Sequence, residues 1–350
     1  MADPSRIVVR APNWLGDAVM ALPAMAAIRR GLEGRTLIVA ARASIAPIFH
    51  ERTEAAPDEV LALDADRETE QLRGVGADAI VLLPNSFGSA WTARRARIAE
   101  RWGFAGAGRG PLLTRRVARP RGRVHQVAYY NALARGLGYD VPEGALPRIE
   151  ASDAARDKAD ALLDLPPEGG SSMSGIGGEG GRETRSSSRR PLVGFAPGAA
   201  YGHAKRWPPA RVAQVIGRLS EMGVTSVLVG AKDDRDTSRA IESSLPQGAR
   251  VIDLIGRTSL RELVGVMSRC AAFVSNDSGA MHVAAALGVP LTAIFGPTDD
   301  RVTSPAGKAD ILHREVFCRP CMLRECPIDH RCMKRIDADS VMQSVTEHLA

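Results

Sequence analysis

Short apolar runs of Val, Ile, Leu and Ala alternate with longer stretches of helical periodicity along the whole chain. In the first half, residues 6–10, 36–40, 59–62 and 79–83 read as strands, and 17–30 and 124–137 as helices. In the second half the strand-like runs are 192–195, 226–229, 251–254, 271–274 and 291–295, and the helical patterns are 208–222, 259–270 and 278–287. Strands separated by helices predict βαβ units and parallel sheets, hence an α/β protein. Between the halves, residues 168–190 hold seven Gly and six Ser in 23 positions. Such a segment buries too little apolar surface to offset its ordering entropy, so it reads as a linker or insertion. Its GIGGEG at 175–180 matches a dinucleotide-binding pattern only formally. No strand precedes it and no helix follows, which argues against an NAD-dependent oxidoreductase.

Composition narrows the class. A chain of 350 residues suggests two domains. Hydrophobic residues at 45% and charged residues at 25% exclude a disordered chain, a coiled coil or a collagen-like fibre. Aromatics make up only 4%, so the core must rest on aliphatic side chains. No segment approaches the roughly 20 apolar residues of a membrane span. Arg10, Asp17, Arg29 and Arg30 interrupt the first apolar stretch, which is not that of a signal peptide, so a cytoplasmic location is expected. The net charge of +6 is uneven: from Arg94 to Arg123 ten arginines face one acid, Glu100, giving +9 against −3 elsewhere. That segment is either a solvated face or a docking surface for a polyanion. Arginine favours the second, because guanidinium grips phosphate or carboxylate through two parallel hydrogen bonds.

Four motifs carry chemistry. In RAPNWLGDAVMALP (10–23) a strand ends in a Pro/Asn/Gly turn and Asp17 opens a helix. Asp17 either caps that helix or serves as a general base in a cleft between the domains. In APGAAYGHAKRW (196–207) a glycine-containing loop follows a strand. Backbone N–H groups of Gly198 and Ala199, with Lys205 and Arg206, suit a phosphate, although an ordinary surface loop fits too and no Walker pattern is present. In SNDSGAMH (275–282) a helix begins at Ser278 and Gly279, whose N–H groups and dipole suit an anion. His282 lies one turn on, and Asp277 suits sugar hydroxyls. Capping of that helix is the plainer reading. Cys318, Cys321, Cys326 and Cys332 form a Cx2Cx4Cx5C cluster, open to structural zinc, local disulfides or free thiols. Cys270 reads as packing.

Taken in order, NWLGDAVMALPA, LPNSF (83–87), PGAAYGHAKRWP and NDSGAMHVAAALGVP followed by FGPT resemble the ADP-heptose:lipopolysaccharide heptosyltransferases, glycosyltransferase family 9. PNSF and AKRWP lean toward the family's type II branch. The resemblance implies a GT-B architecture of two Rossmann-like parallel-sheet domains with the active site between them. Residues 1–167 would bind the acceptor, 168–190 would link, and 191–336 would bind the ADP-sugar. Residues 337–350 would form a helix packing back across the domain junction.

The implied reaction moves L-glycero-D-manno-heptose from ADP-heptose to the heptose of the lipopolysaccharide inner core in a single inverting displacement. By the same resemblance Asp17 is the base and Lys205 binds the diphosphate. Asp277 lies by the donor heptose, and Ser278, Gly279 and His282 form the phosphate-side loop. Thr258 lies near adenine, and Asp233 or Asp234 near ribose. Gly198 and Ala199 complete the donor side. Asn13, Trp14, Asn85, Ser86, Arg94 and Arg95 are the acceptor-side candidates. No cofactor is needed for the transfer, and zinc would be structural only. The arginine run suits the Kdo carboxylates and lipid A phosphates of the acceptor, and peripheral attachment to the anionic inner face of the inner membrane. A heptosyltransferase of type I or III, or another GT-B enzyme using a UDP-sugar, is the alternative. A zinc-stabilised nucleic-acid-binding protein is a remote one, disfavoured because it leaves Asp17, Lys205 and the 277–282 loop without a role.

Overall fold

The computed structural model describes residues 5–165 and 190–350, so the Gly/Ser-rich linker expected at 168–190 lies almost wholly outside the described residues. Strands β1 (Arg6–Arg10), β2 (Thr36–Arg42), β3 (Glu59–Leu63), β4 (Ala79–Leu82), β5 (Glu100–Phe104) and β6 (Arg115–Val117) form one sheet in the order β3-β2-β1-β4-β5-β6. Strands β7 (Leu192–Ala196), β8 (Thr225–Leu228), β9 (Val251–Asp253), β10 (Ala272–Asn276), β11 (Leu291–Ile294) and β12 (Ala309–Leu312) form a second, in the order β12-β11-β10-β7-β8-β9. Every ladder is parallel. Each half therefore has the Rossmann order, whose direction reverses at β1/β4 in one sheet and at β7/β10 in the other. Ligands of such sheets bind beyond the strand C-termini at that reversal. The motifs after residues 10, 82, 196 and 276 follow those four strands.

In the first half the helices are α1 (Leu15–Met20), α2 (Leu22–Arg30), α3 (Glu68–Gly74), α4 (Phe87–Arg95), α5 (Gln126–Gly136) and α6 (Asp153–Leu162). In the second half they are α7 (Pro209–Glu221), α8 (Arg235–Glu242), α9 (Leu260–Ser268), α10 (Gly279–Ala286), α11 (Asp300–Thr303), α12 (Arg331–Lys334) and α13 (Ala338–Leu349). The single helix expected over 17–30 is two. Pro23 lacks the N–H that a helix interior needs, so it sits in the first turn of α2, and the break falls at Ala21.

Two expectations about the domain junction are corrected. The C-terminal helix does not bridge it: α13 packs on α7, β10, β11 and β12, inserting Val341, Met342 and Val345 into the second domain's core. The bridging element is α6, assigned above to the acceptor domain, which lies against α9 of the second. Small residues permit the approach. A Cβ on Gly265 would stand 2.0 Å from the Ala155 carbonyl oxygen. A buried, bidentate Arg269–Asp160 pair at 2.8 and 2.7 Å and an Arg261–Glu51 contact at 2.7 Å pin the crossing. Residues 149–153 straddle the junction: Ile149 N–H donates to Ala286 O, while Glu150 bridges to Arg52 and Ser152 N–H donates to Glu51.

The arginine run is also not one surface. Arg109 is fully buried and donates to Phe104 O, Pro84 O and Asn85 Oδ1. Arg101 caps the carbonyls of Ile98, Ala99 and Leu112. The other eight arginines are exposed.

Candidate active site

The loop after β1 is built around Arg10, a buried guanidinium that holds Glu68 at 2.8 Å, the Ala11 carbonyl and Asn13 Oδ1 at 2.8 Å. Asn13 therefore shapes the loop, while Trp14, 57% exposed, reaches into the space between the domains. Asp17 follows in the first turn of α1. Its Oδ1 accepts from the Tyr130 hydroxyl at 3.2 Å, and that oxygen in turn accepts from Gln126 Nε2 at 3.1 Å. Burial raises the Asp17 carboxyl above its ordinary range, against the opposing pull of Tyr130, Gln126 and the Lys205 charge.

Opposite stands the donor side. Lys205 Nζ lies 2.6 Å from Asp277 Oδ2, with both side chains nearly sealed. Thr298 Oγ1 donates to the same carboxylate oxygen at 2.5 Å, and Nζ sits 4.7 Å above the Tyr201 ring. Ser278 is the N-cap of α10, so the first N–H groups of that helix have no intrahelical acceptor. His282 lies on the next turn. Burial pushes it down to about 4, so it is neutral at pH 7, and its buried Nδ1 has no partner. Its ring rests on Gly16, where a Cβ would stand 2.6 Å from Cδ2. Gly16 thus lets α1 and α10 meet across the cleft.

Asp17, Trp14, Lys205, Asp277, Ser278, Gly279 and His282 all line one cleft of about 550 Å³. A more apolar chamber of about 310 Å³ shares Trp14, Gly16, Ser278 and Gly279 with it and continues past Gly198, Ala199, Val229, Thr258, Leu260 and Leu263. A wider groove of about 620 Å³ opens elsewhere on the junction, around Arg52, Arg148 and Lys308, but contains none of the candidate site residues.

Not every candidate reaches the cleft. Asp233 is exposed and outside both cavities, whereas Asp234 lines the chamber beside Gly198 and pairs with Arg206 at 3.2 Å. Asn85 is held between Tyr129 at 3.0 Å and Arg109 at 3.3 Å, and Ser86 caps α4 by accepting from Ser89 N–H. Arg94 and Arg95 occupy the last turn of α4, which runs back toward the strand N-termini, away from the cleft edge.

The four clustered cysteines are free thiols around one narrow cavity, with His330 N–H donating to Cys326 Sγ at 3.3 Å. Among the described residues no group of three or more His, Cys, Asp or Glu stands ready-made for a metal ion. The cysteine loop does touch the donor loop: Tyr201 donates to Met322 O and Ala204 N–H to Arg324 O, both at 2.9 Å. Sequence reading missed Tyr130, Gln126, Thr298 and Tyr201. The last two lie inside motifs it had marked. Tyr130 and Gln126 gave no local signal, because their partner is more than 100 residues away.

Comparison with known proteins places this geometry. The family described as Glycosyltransferase family 9 (heptosyltransferase) matches residues 67–331. Lipooligosaccharide heptosyltransferase 2 of Haemophilus ducreyi is 29% identical over 366 aligned positions, covering 99% of each chain. Lipopolysaccharide heptosyltransferase 2 of Escherichia coli K12 is 32% identical, covering 86% of this chain and 85% of its own. The solved structure of E. coli ADP-heptose lps heptosyltransferase II superposes with a TM-score of 0.79 at 28% identity, covering 98% of both chains.

Proposed function

The chain belongs to glycosyltransferase family 9, the heptosyltransferases, and we propose that it moves L-glycero-D-manno-heptose from ADP-heptose to the heptose of the lipopolysaccharide inner core, as a type II enzyme. The observation that carries this is the cleft itself: a desolvated carboxylate, Asp17, faces a lysine and a helix N-terminus contributed by the other domain.

The roles follow from the chemistry. Adenine takes the apolar chamber between Val229, Thr258, Leu260 and Leu263, and Asp234 rather than Asp233 stands nearest the ribose end. The diphosphate lies against Lys205 Nζ and the first N–H groups of α10. His282, neutral and lining the same cleft, stands beside that diphosphate. The acceptor hydroxyl gives its proton to Asp17 as its oxygen bonds to the anomeric carbon. The bond from that carbon to the phosphate oxygen breaks, its electron pair leaves with ADP, and the anomeric centre inverts. Lys205 and the helix dipole stabilise the charge that ADP gains.

On the acceptor side, Trp14 flanks the reacting sugar, and Asn85 and Ser86 shape the loop after β4 beyond it. Arg94 and Arg95, on the side away from the cleft, suit the anionic inner face of the inner membrane, and the other exposed arginines suit that face and the anionic remainder of the acceptor. The transfer step is assigned no cofactor. Structural zinc on Cys318, Cys321, Cys326 and Cys332 would brace the loop that holds Tyr201 and Ala204; metal content per chain, and loss of thermal stability on chelation, test it.

The decisive experiment measures ADP release from ADP-heptose with an inner-core acceptor, for the parent and for Asp17→Asn. Asp17→Asn should lose about 10²–10⁴-fold in turnover while keeping ADP affinity. Stabilisation against heat by UDP but not by ADP would overturn the donor assignment.

A further inference from the structure

Asp17 does not stand alone, and its surroundings come from another element. It sits on α1, which packs on α2, α5 and α10. From α5, Tyr130 is 4% exposed and donates to Asp17 Oδ1, while Gln126 donates to the Tyr130 oxygen. An amide N–H can only donate, so Gln126 occupies a lone pair of the hydroxyl and leaves the phenolic proton free to point at the carboxylate. From α10, neutral His282 packs on Gly16, and from the donor loop Lys205 faces the same cleft. Lys205 is committed at short range to Asp277, so it acts on Asp17 only from a distance. The close hydrogen-bond donors to the base therefore come from α5.

The start of α5 is fixed at both ends of this chain of contacts. His125, its N-cap, lies 2.9 Å from Ser304 O of the donor domain, and Arg123 just before it pairs with Asp299 at 3.4 Å. Tyr129 binds Asn85 in the loop after β4. One helical turn thus joins the base, the acceptor-side loop and the opposite domain.

We propose that Tyr130, aimed by Gln126, is the positioning residue of the catalytic base, holding the Asp17 carboxylate ionised and oriented toward the acceptor hydroxyl. The proposal rests on Asp17 being that base. A buried carboxylate that loses its hydroxyl donor binds its proton more tightly, because the bond favours the charged form. The acid limb of the turnover–pH profile then moves to higher pH.

The test compares Tyr130→Phe, Gln126→Leu and Asp17→Asn with the parent, using ADP release across pH, ADP affinity and melting temperature. Tyr130→Phe should lower turnover by roughly 10- to 100-fold, the factor of one hydrogen bond to a charged group. Its acid limb should shift upward, its ADP affinity should stay unchanged, and Gln126→Leu should shift the same limb by less. A Tyr130→Phe enzyme with the parent's limb and turnover overturns the proposal. If that variant melts at the assay temperature, Gln126→Leu decides, and an unmoved limb there overturns it as well. Parental turnover in Asp17→Asn would instead show that the base itself was wrongly chosen, a failure distinct from Tyr130 having no effect beside an inactive Asp17→Asn.

Discussion

Lys205→Met tests how far the donor side is assembled before any ligand arrives. Lys205 Nζ is 2.6 Å from Asp277 Oδ2, with the side chains 12% and 6% exposed. Methionine keeps much of the stem's volume and removes the charge, leaving the carboxylate buried with Thr298 as its side-chain donor. Removing one partner of a buried pair costs about 3–5 kcal/mol, and the surviving Thr298 bond puts this site near the lower figure. At about 2–4 °C per kcal/mol for a domain of this size, 3 kcal/mol is a fall of roughly 6–12 °C in melting temperature. Asp277→Asn removes the other charge. The double variant buries neither, so it should be more stable than Lys205→Met alone, with an interaction energy of about 2 kcal/mol in the cycle. Differential scanning fluorimetry of the four proteins, with ADP titrated into each, reads both quantities. Stability should recover in the double variant while ADP affinity does not, which separates the pair's structural work from its work on phosphate. A Lys205→Met protein that melts with the parent, or strictly additive losses, would refute a preassembled pair.

Further outcomes follow from the same geometry. His282 is held at about 4 by burial against an ordinary 6.5, so between those values the unfolded chain takes up a proton that the fold refuses. Stability should fall as pH drops from 6.5 toward 4, by about 2 kcal/mol at pH 5, and His282→Asn should flatten that part of a chemical-denaturation profile. Gly265→Ala drives a methyl into the Ala155 carbonyl and should cost about 1–3 kcal/mol by thermal melting, since backbone cannot give way as a side-chain tip can. Arg109→Met leaves Pro84 O and Phe104 O without their buried donor, so it should raise KM for the acceptor while ADP affinity holds.

The parts legible in the sequence are those written in contiguous residues. Strands of the sheet centres, such as 79–82 and 192–196, are unbroken runs without a polar side chain because both faces are covered. The edge strands β6 and β12, as RRV and ADIL, are short and half-exposed and carry no such signal. The cleft loops were readable because Asp17, Lys205 and Asp277 each lie within about nine residues of the strand that leads to them. The bridging role of α6 was not, since Ala155 and Ala159 acquire meaning only opposite Gly265, more than 100 residues on. Arg101 and Arg109 misled for the same reason: a count of arginines cannot tell a guanidinium that satisfies buried carbonyls from one that waits for a ligand.

Three carboxylates line the cleft; Asp299 is paired with Arg301 and Arg123, and the environments of the other two, Asp17 and Asp277, differ. Asp277 is held by a lysine at 2.6 Å and a hydroxyl at 2.5 Å, both on Oδ2, so its charge is matched while Oδ1 faces neither. Such a group orders Lys205 and can meet sugar hydroxyls through its other oxygen. Asp17 has neutral donors close by and its cation only at a distance, and burial raises its carboxyl. A raised carboxyl is a stronger base once ionised. Environments that differ in this way separate proton transfer from charge stabilisation. On the proposed reading the two tasks fall to opposite domains, and both would act on one substrate pair only where α1 meets α10, at the contact that Gly16 keeps open.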